Sequence, residues 1–281
     1  YLNYPEAKAT AMLARIGEYP FVEAVKTFGY KYIHYANPNA VRCIYVKSGK
    51  CLEMNILISD MEANLLKLTP FGPPFYNLYI ENVLSLFLDR YTRLRMEGWG
   101  GGGVPFLKRH LASFKDWKPF FLFAHIMSPH PPYMWDRNCN HRRPKSYTLG
   151  DYDSWKNTKA YVEQLQCLNQ RLLSFIDEAL AQGEDAIIIL HGDHGASSLG
   201  NHKAPPKTWI QEHVVERHAI LNALRLPKEC RKRLTPRLTP VNNLRIVLDC
   251  ITGKENRLLK NRFFTTASRY NAVEWVERLL E

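Results

Sequence analysis

Ala186-Ile187-Ile188-Ile189-Leu190-His191-Gly192-Asp193-His194-Gly195 is a short, β-branched apolar run that stops abruptly at a carboxylate, an imidazole and a glycine. A run of this length without polar relief predicts a strand buried on both faces of a parallel sheet rather than a surface helix. Its carboxyl end then delivers Asp193 and His194 to the edge where open α/β sheets bind their ligands. One hard oxygen beside one imidazole nitrogen suits a divalent cation such as zinc or manganese, and Gly195 lets the backbone turn sharply behind them. For the dipeptide alone, the plain alternative is an Asp193 that caps the next helix and an ordinary loop histidine.

The residues that follow shift that balance. Gly200-Asn201-His202, Lys207-Thr208 and Glu212 come next, giving Asp-His-Gly, Gly-x-His, Lys-Thr and Glu in order. This resembles the C-terminal active-site block of sulfatases, which belong to the alkaline phosphatase superfamily. A second block agrees: Pro119-Phe120-Phe121-Leu122-Phe123-Ala124-His125-Ile126-Met127-Ser128-Pro129-His130-Pro131-Pro132-Tyr133 is similar to the sulfatase strand that ends in a Pro-His-x-Pro-Tyr loop. The resemblance runs from about Tyr19 to about Leu226. It implies an α/β fold of the alkaline-phosphatase type, three α/β/α layers with a mostly parallel central sheet and helices on both faces. It also implies that Asp193 and His194 are metal ligands, for zinc, manganese or calcium, and that His130, His202 and Lys207 bind an anionic ester. The implied reaction is cleavage or transfer of a sulfate or phosphate ester through a covalent intermediate.

Two departures qualify the likeness. Where sulfatases usually carry a Gly-Lys-Trp-His segment that helps hold the sulfate, this chain reads Ala36-Asn37-Pro38-Asn39. That counts against a standard sulfate ester hydrolase and leaves room for the transferase branch, the phosphoethanolamine and lipoteichoic acid synthase type, which uses a Thr nucleophile and is usually membrane-tethered. No Cys-x-Pro-x-Arg or Ser-x-Pro-x-Arg motif occurs, so no catalytic nucleophile is assigned within the chain. It is expected N-terminal to Tyr1, together with the first acidic metal ligands and a membrane tether, and the chain alone is expected to be inactive. The opening Tyr1-Leu2-Asn3-Tyr4, with neither a starting Met nor a signal-peptide pattern, reads as part of something longer. The competing reading from another class is a non-catalytic module that binds anionic glycans or lipid headgroups.

Composition sets the frame. A chain of 281 residues, 46% hydrophobic and 23% charged, fits one large α/β domain, 1–281, with 227–281 as a C-terminal packing extension. No run approaches the roughly 20 apolar residues that span a bilayer. The net charge of +11 argues for anionic partners, whether a glycan, a lipid headgroup or a small ester. Nucleic acid is not expected, because the basic residues match no nucleic-acid-binding motif. Arg142-Arg143, Lys228 to Arg233 and Arg257 to Arg262 read as solvated faces. Cys43 and Cys51 flank a Lys47-Ser48-Gly49 turn, where a disulfide across a hairpin is feasible, and Cys139 with Cys167 is a second candidate. Buried free thiols are the alternative; disulfides would place the protein outside the cytoplasm, as in a periplasm.

In chain order, helices are expected over Pro5 to Gly17 and Phe21 to Phe28, with Gly29 as a stop, then a strand over Tyr30 to Tyr35. His34 reads as a strand residue. Cys51 to Arg95 looks mainly helical, Trp99 to Gly103 reads as a surface loop rather than a P-loop, and Val104 to Phe114 is a helix. After the Phe120 to Ile126 strand, Arg137 to Asp151 reads as a pocket-rimming loop. Asp153 to Gln182 is a long crossover helix whose apolar face runs through Tyr161, Leu165, Leu168, Leu172, Ile176 and Leu180. A right-handed strand, helix, strand unit from Phe120 to His191 would let His130 face Asp193 and His194. A strand over His218 to Leu226 and helices over Val241 to Ile251 and Ala272 to Leu280 complete the expectation.

Overall fold

The computed structural model describes residues 20–36, 43, 46, 49–53, 103–142, 152–183, 185–200, 204–266 and 275–278. They fall into two compact units, one holding the described residues up to 142 with 159–176, the other 152–158 and 177–278. The expected helix over Pro5 to Gly17, His202 and most of the Cys51 to Arg95 stretch lie outside the described residues.

The first unit opens with helix α1 (Pro20–Lys26), whose proline occupies the first helical position and whose Val22 and Val25 are buried. Gly29 ends the turn at φ +83°, the left-handed stop that its sequence position predicts. Strand β1 (Lys31–Ala36) follows, with every residue after Lys31 buried. It is the middle strand of a three-stranded parallel sheet, between β2 (Lys50–Glu53) and β3 (Phe120–Ala124), whose chain position lies beyond helix α2 (Gly103–Leu111). Burial on both faces of a central parallel strand accounts for the unbroken Tyr-Ile-His-Tyr-Ala run. His34 within it is 1% exposed, 2.8 Å from the Tyr32 hydroxyl through Nδ1 and stacked on Phe123, so it is a packed strand residue as expected. Helix α2 packs Val104, Leu107 and Leu111 inward, and a Cβ on Gly103 would stand 2.6 Å from the Tyr35 hydroxyl. A 3-10 turn (Ala112–Trp117) with a fully buried Phe114 leads into β3. Helix α3 (Thr158–Ala181) carries Ala160, Glu163, Gln164, Cys167 and Leu168 on its buried side; of the expected apolar face Leu168 is buried, while Tyr161, Leu165, Leu172, Ile176 and Leu180 are half-buried.

In the second unit the sequence reading needs correction. The apolar run around Ile188 forms strand β4 (Ile188–His191), but β4 is half-buried and pairs antiparallel with a strand further on. Helix α4 (Gln211–His218) comes between, then β5 (Asn222–Arg225) returns so that Ile188 faces Arg225 and His191 faces Asn222. An antiparallel pair needs no cover on both faces, which is why three consecutive aliphatics remain only partly buried. Consequently β3 and β4 lie in separate sheets, and the strand, helix, strand unit from Phe120 to His191 is not formed by the described strands. The parallel α/β component is present in the first unit, while the described strands of the second unit pair antiparallel.

Helix α5 (Pro240–Thr252) follows the sequence expectation closely: Pro240 starts it, and Gly253 ends it at φ +68° with its N–H on Asp249. Its buried Asn242 and Asn243 are satisfied by the Leu259 backbone and by Asn222. The expected helix over Ala272 to Leu280 is instead strand β7 (Trp275–Arg278), paired antiparallel with β6 (Phe263–Thr266). Trp275, Val276 and the facing Phe263 to Thr266 are β-branched or aromatic, and this outweighs a weak helical period in so short a segment. The residues around Gly49 form no hairpin among the described residues, since β2 runs parallel to β1, yet the Cys43–Cys51 disulfide is present. Cys139–Cys167 is also bonded, and Cys230–Cys250 is a third bridge not foreseen, so all six cysteines are paired. No described helix is long and apolar enough to cross a membrane.

Candidate functional site

Asp193 and His194 leave the end of β4 in a short loop. His194 donates its backbone N–H to Asp193 Oδ1 at 2.9 Å, and its ring Nδ1 lies 2.9 Å from the Gly195 carbonyl. A carbonyl only accepts, so the proton belongs on Nδ1, and the lone pair of the neutral ring is then on Nε2. That nitrogen stands 3.6 Å from Asp193 Oδ2. A histidine whose Nδ1–H is held by a backbone carbonyl presents Nε2 as its free ring nitrogen, the way metal-ligating imidazoles are oriented. The two donors therefore fit a divalent cation, and Asp193 is largely exposed, which leaves room for further ligands. Among the described residues no group of three or more His, Cys, Asp and Glu side chains converges as a metal site.

The loop is held from behind by α4. Gly195 donates its N–H to the Arg217 carbonyl at 2.7 Å, and Arg217 donates from Nη1 to the Gly195 carbonyl at 2.7 Å and to the buried Ser197 hydroxyl at 3.1 Å. Glu216 accepts from the Ser198 backbone N–H at 2.8 Å and hydroxyl at 2.5 Å. A Cβ on Gly195 would lie 1.9 Å from the Glu216 carbonyl oxygen. Gly195 is thus required for close approach to a helix backbone rather than for a left-handed turn. Burial pulls the Arg217 guanidinium below its ordinary pKa, and the charges of Asp193 and Glu216 oppose that shift.

In the other unit His130 follows β3 in a loop with cis peptide bonds before Pro129 and Pro132. Its Nδ1 is 2.5 Å from the Pro131 carbonyl, again placing the proton on Nδ1. Gln164 of α3 clasps the loop on both sides, donating from Nε2 to the His130 carbonyl at 3.2 Å and accepting the Met134 N–H on Oε1 at 2.6 Å. The Cys139–Cys167 bridge and an Arg171 guanidinium 4.0 Å over the Trp135 ring fasten the next turn to the same helix. Arg142, read from sequence as part of a solvated face, instead pairs with the buried Glu163, with Arg137 3.6 Å away. Hydrogen bonding from Arg142, more than the opposing effect of burial, holds the Glu163 carboxyl below its ordinary value of 4.5. Ser128 and Tyr133 are each 6% exposed, and neither hydroxyl finds a partner among the described residues. Burial, then the neighbouring Tyr161, pushes the Tyr133 phenol far upward, so it remains a protonated donor.

Lys207 sits exposed in a 3-10 turn (Pro206–Thr208), and Glu212 is exposed in the first turn of α4. His130 belongs to one unit; Asp193, His194 and Lys207 belong to the other. Sequence reading missed Gln164, Glu216 and Arg217. Gln164 left a trace, as a polar residue on the inward stripe of a helix, whereas nothing local marks the Glu216-Arg217 pair. A cavity of about 500 Å³ elsewhere in the second unit is lined by Leu180, Asp185, Arg225, Pro227, Lys228, Glu229 and Arg231, and shares none of these site residues.

Residues 106–215 match the family model described as Sulfatase. The matched stretch contains both sequence blocks that carry the resemblance. No curated protein matches the chain, and no solved structure does.

Proposed function

We propose that the protein is a metal-dependent sulfatase-like enzyme that cleaves or transfers phosphate esters at least as well as aryl sulfates, through a covalent intermediate. The observation that carries this reading is the His194 geometry: Nδ1 tied to the Gly195 carbonyl, Nε2 turned toward Asp193 Oδ2. Asp193 and His194 would hold a zinc, manganese or calcium ion. Once bound, such an ion neutralises ester oxygens and lowers the pKa of a coordinated nucleophile. Lys207 and His202 are the proposed ester-binding residues of the unit that holds Asp193; in the other unit His130 is a proposed ester-binding residue, and the Tyr133 and Ser128 hydroxyls near it in sequence are further donors for a polar ligand. The phosphate leaning rests on the absence of the Gly-Lys-Trp-His segment and on the histidines, which suit the greater charge of a phosphate ester. Six paired cysteines support an oxidising, extracytoplasmic setting.

The test has two arms. Metal analysis of the full-length protein should find bound divalent ion that Asp193→Ala removes. Turnover of nitrophenyl phosphate mono- and diesters should equal or exceed that of nitrophenyl sulfate, and His130→Ala should lower it by on the order of 10²-fold. Equal metal content in wild type and Asp193→Ala would refute the ligand assignment. Exclusive sulfatase activity would overturn the phosphate leaning, and ester binding without turnover would favour a binding module.

A further inference from the structure

The positive charge of the chain is concentrated. Between Arg225 and Arg262 stand eleven Lys and Arg against three Asp and Glu, so a net +8 of the total +11 belongs to this stretch. The fold gathers it instead of spreading it. The Cys230–Cys250 bridge ties the 3-10 turn Lys228–Arg233 to α5, and Arg233 reaches both Asp249 and the Asn256 carbonyl. Asn261 donates to the Arg237 carbonyl, and Arg245 to that of Arg257. Segments 228–237 and 254–261 are thereby knitted into one surface. Two of its three acids are already engaged, Asp249 with Arg233 and Glu255 with Lys232. Lys228, Arg237, Lys254, Arg257 and Lys260 remain exposed. On the same helix Val241 and Leu244 are 47% and 40% exposed, one turn apart and close in sequence to Arg237 and Arg245.

Exposed aliphatics flanked by uncompensated cations suit an interface whose surface is anionic and whose interior is apolar. A soluble polyanion would use the charge and leave the aliphatics without purpose. We infer that this C-terminal face docks on an anionic phospholipid surface, with the cations at the headgroups and Val241 and Leu244 at the acyl boundary. The inference is independent of ester turnover.

The experiment is cosedimentation of the 281-residue chain with phosphatidylcholine vesicles, with and without one third phosphatidylglycerol. Binding is expected only to the anionic vesicles, and should weaken as salt shortens the Debye length from about 10 Å to about 3 Å. The triple variant Lys228→Glu, Lys254→Glu, Arg257→Glu should lose at least about fivefold in partitioning for each cation removed, on the order of 100-fold in all. Arg109→Glu, Lys115→Glu, Lys159→Glu, equal in charge change but in the other unit, should leave partitioning within about threefold of wild type, long-range screening being strong. Val241→Ser with Leu244→Ser should remove the binding that survives high salt. Thermal melting and thiol labelling establish that each variant is folded with its disulfides intact. Equal loss in both charge variants, equal binding to neutral vesicles, or binding to a sulfated polysaccharide without binding to vesicles would each overturn the proposal.

Discussion

Gly195→Ala is the sharpest probe of how the Asp193 and His194 loop is held. The added Cβ would stand 1.9 Å from the Glu216 carbonyl oxygen, and helix backbone cannot swing aside as a side-chain tip can. Restoring normal contact needs a displacement of roughly 1 Å or more, the regime in which overpacking costs about 1–3 kcal/mol. The same displacement breaks the 2.7 Å bond from Gly195 N–H to the Arg217 carbonyl, adding about 1 kcal/mol. The expected destabilisation is about 2–4 kcal/mol by urea denaturation. Because the Gly195 carbonyl also anchors His194 Nδ1, metal affinity in a competition titration should fall by at least about tenfold, the lower end for lost outer-shell support. Gly192→Ala is the control: its nearest neighbours would lie at 3.6 Å, an ordinary contact, and its cost should stay below about 0.5 kcal/mol. If the two alanine variants unfold together, the close-approach argument fails.

Gln164→Leu removes both clasps on the His130 loop and leaves the Met134 N–H buried without its acceptor, so a loss of about 1–3 kcal/mol is expected in thermal or denaturant unfolding. Its ester KM should also rise in the full-length protein, and an unchanged KM would detach His130 from ester binding. Glu163 has a folded pKa held below 4.5, so its contribution to stability is complete above that value and is lost as pH falls through the lowered one. Glu163→Gln should therefore flatten the acid limb of the stability curve; an unaltered limb would place the ion pair's energetic effect at zero. Reduction should raise the intact mass by six hydrogens, and Cys139→Ser with Cys167→Ser should cost about 3.5 kcal/mol for a bridge of this span. Any free thiol in unfolded, unreduced protein contradicts the pairing.

Much of the first unit was legible because its signals are local. The glycine at Gly29 and the unbroken apolar run of β1 each dictate their structure within a few residues. Strand β4 was correctly located from its Ile188 to Leu190 run, but its partner was not, since an apolar run reports burial and says nothing of direction. The Asp-His pair and the Pro-His-x-Pro loop were visible as types at fixed spacing. Their supports were not, because Gln164 lies 34 residues from His130, and Arg217 lies 22 from Gly195. The misread tail shows the limit of periodicity in four-residue elements, where cross-strand pairing of Arg278 with Phe263 decides the outcome.

Adjacent residues of α4 grip the strand-end loop at successive points, Arg217 at Gly195 and Ser197, Glu216 at Ser198 and Leu199. The clasp closes on itself before Gly200, so the geometry of Asp193 and His194 is decoupled from the length of the chain between Gly200 and Ile210. In the proposed function, changes in that connector act on ester binding through His202 and Lys207 without rebuilding Asp193 and His194, and a library of insertions after Gly200 is expected to retain metal affinity while its ester turnover changes.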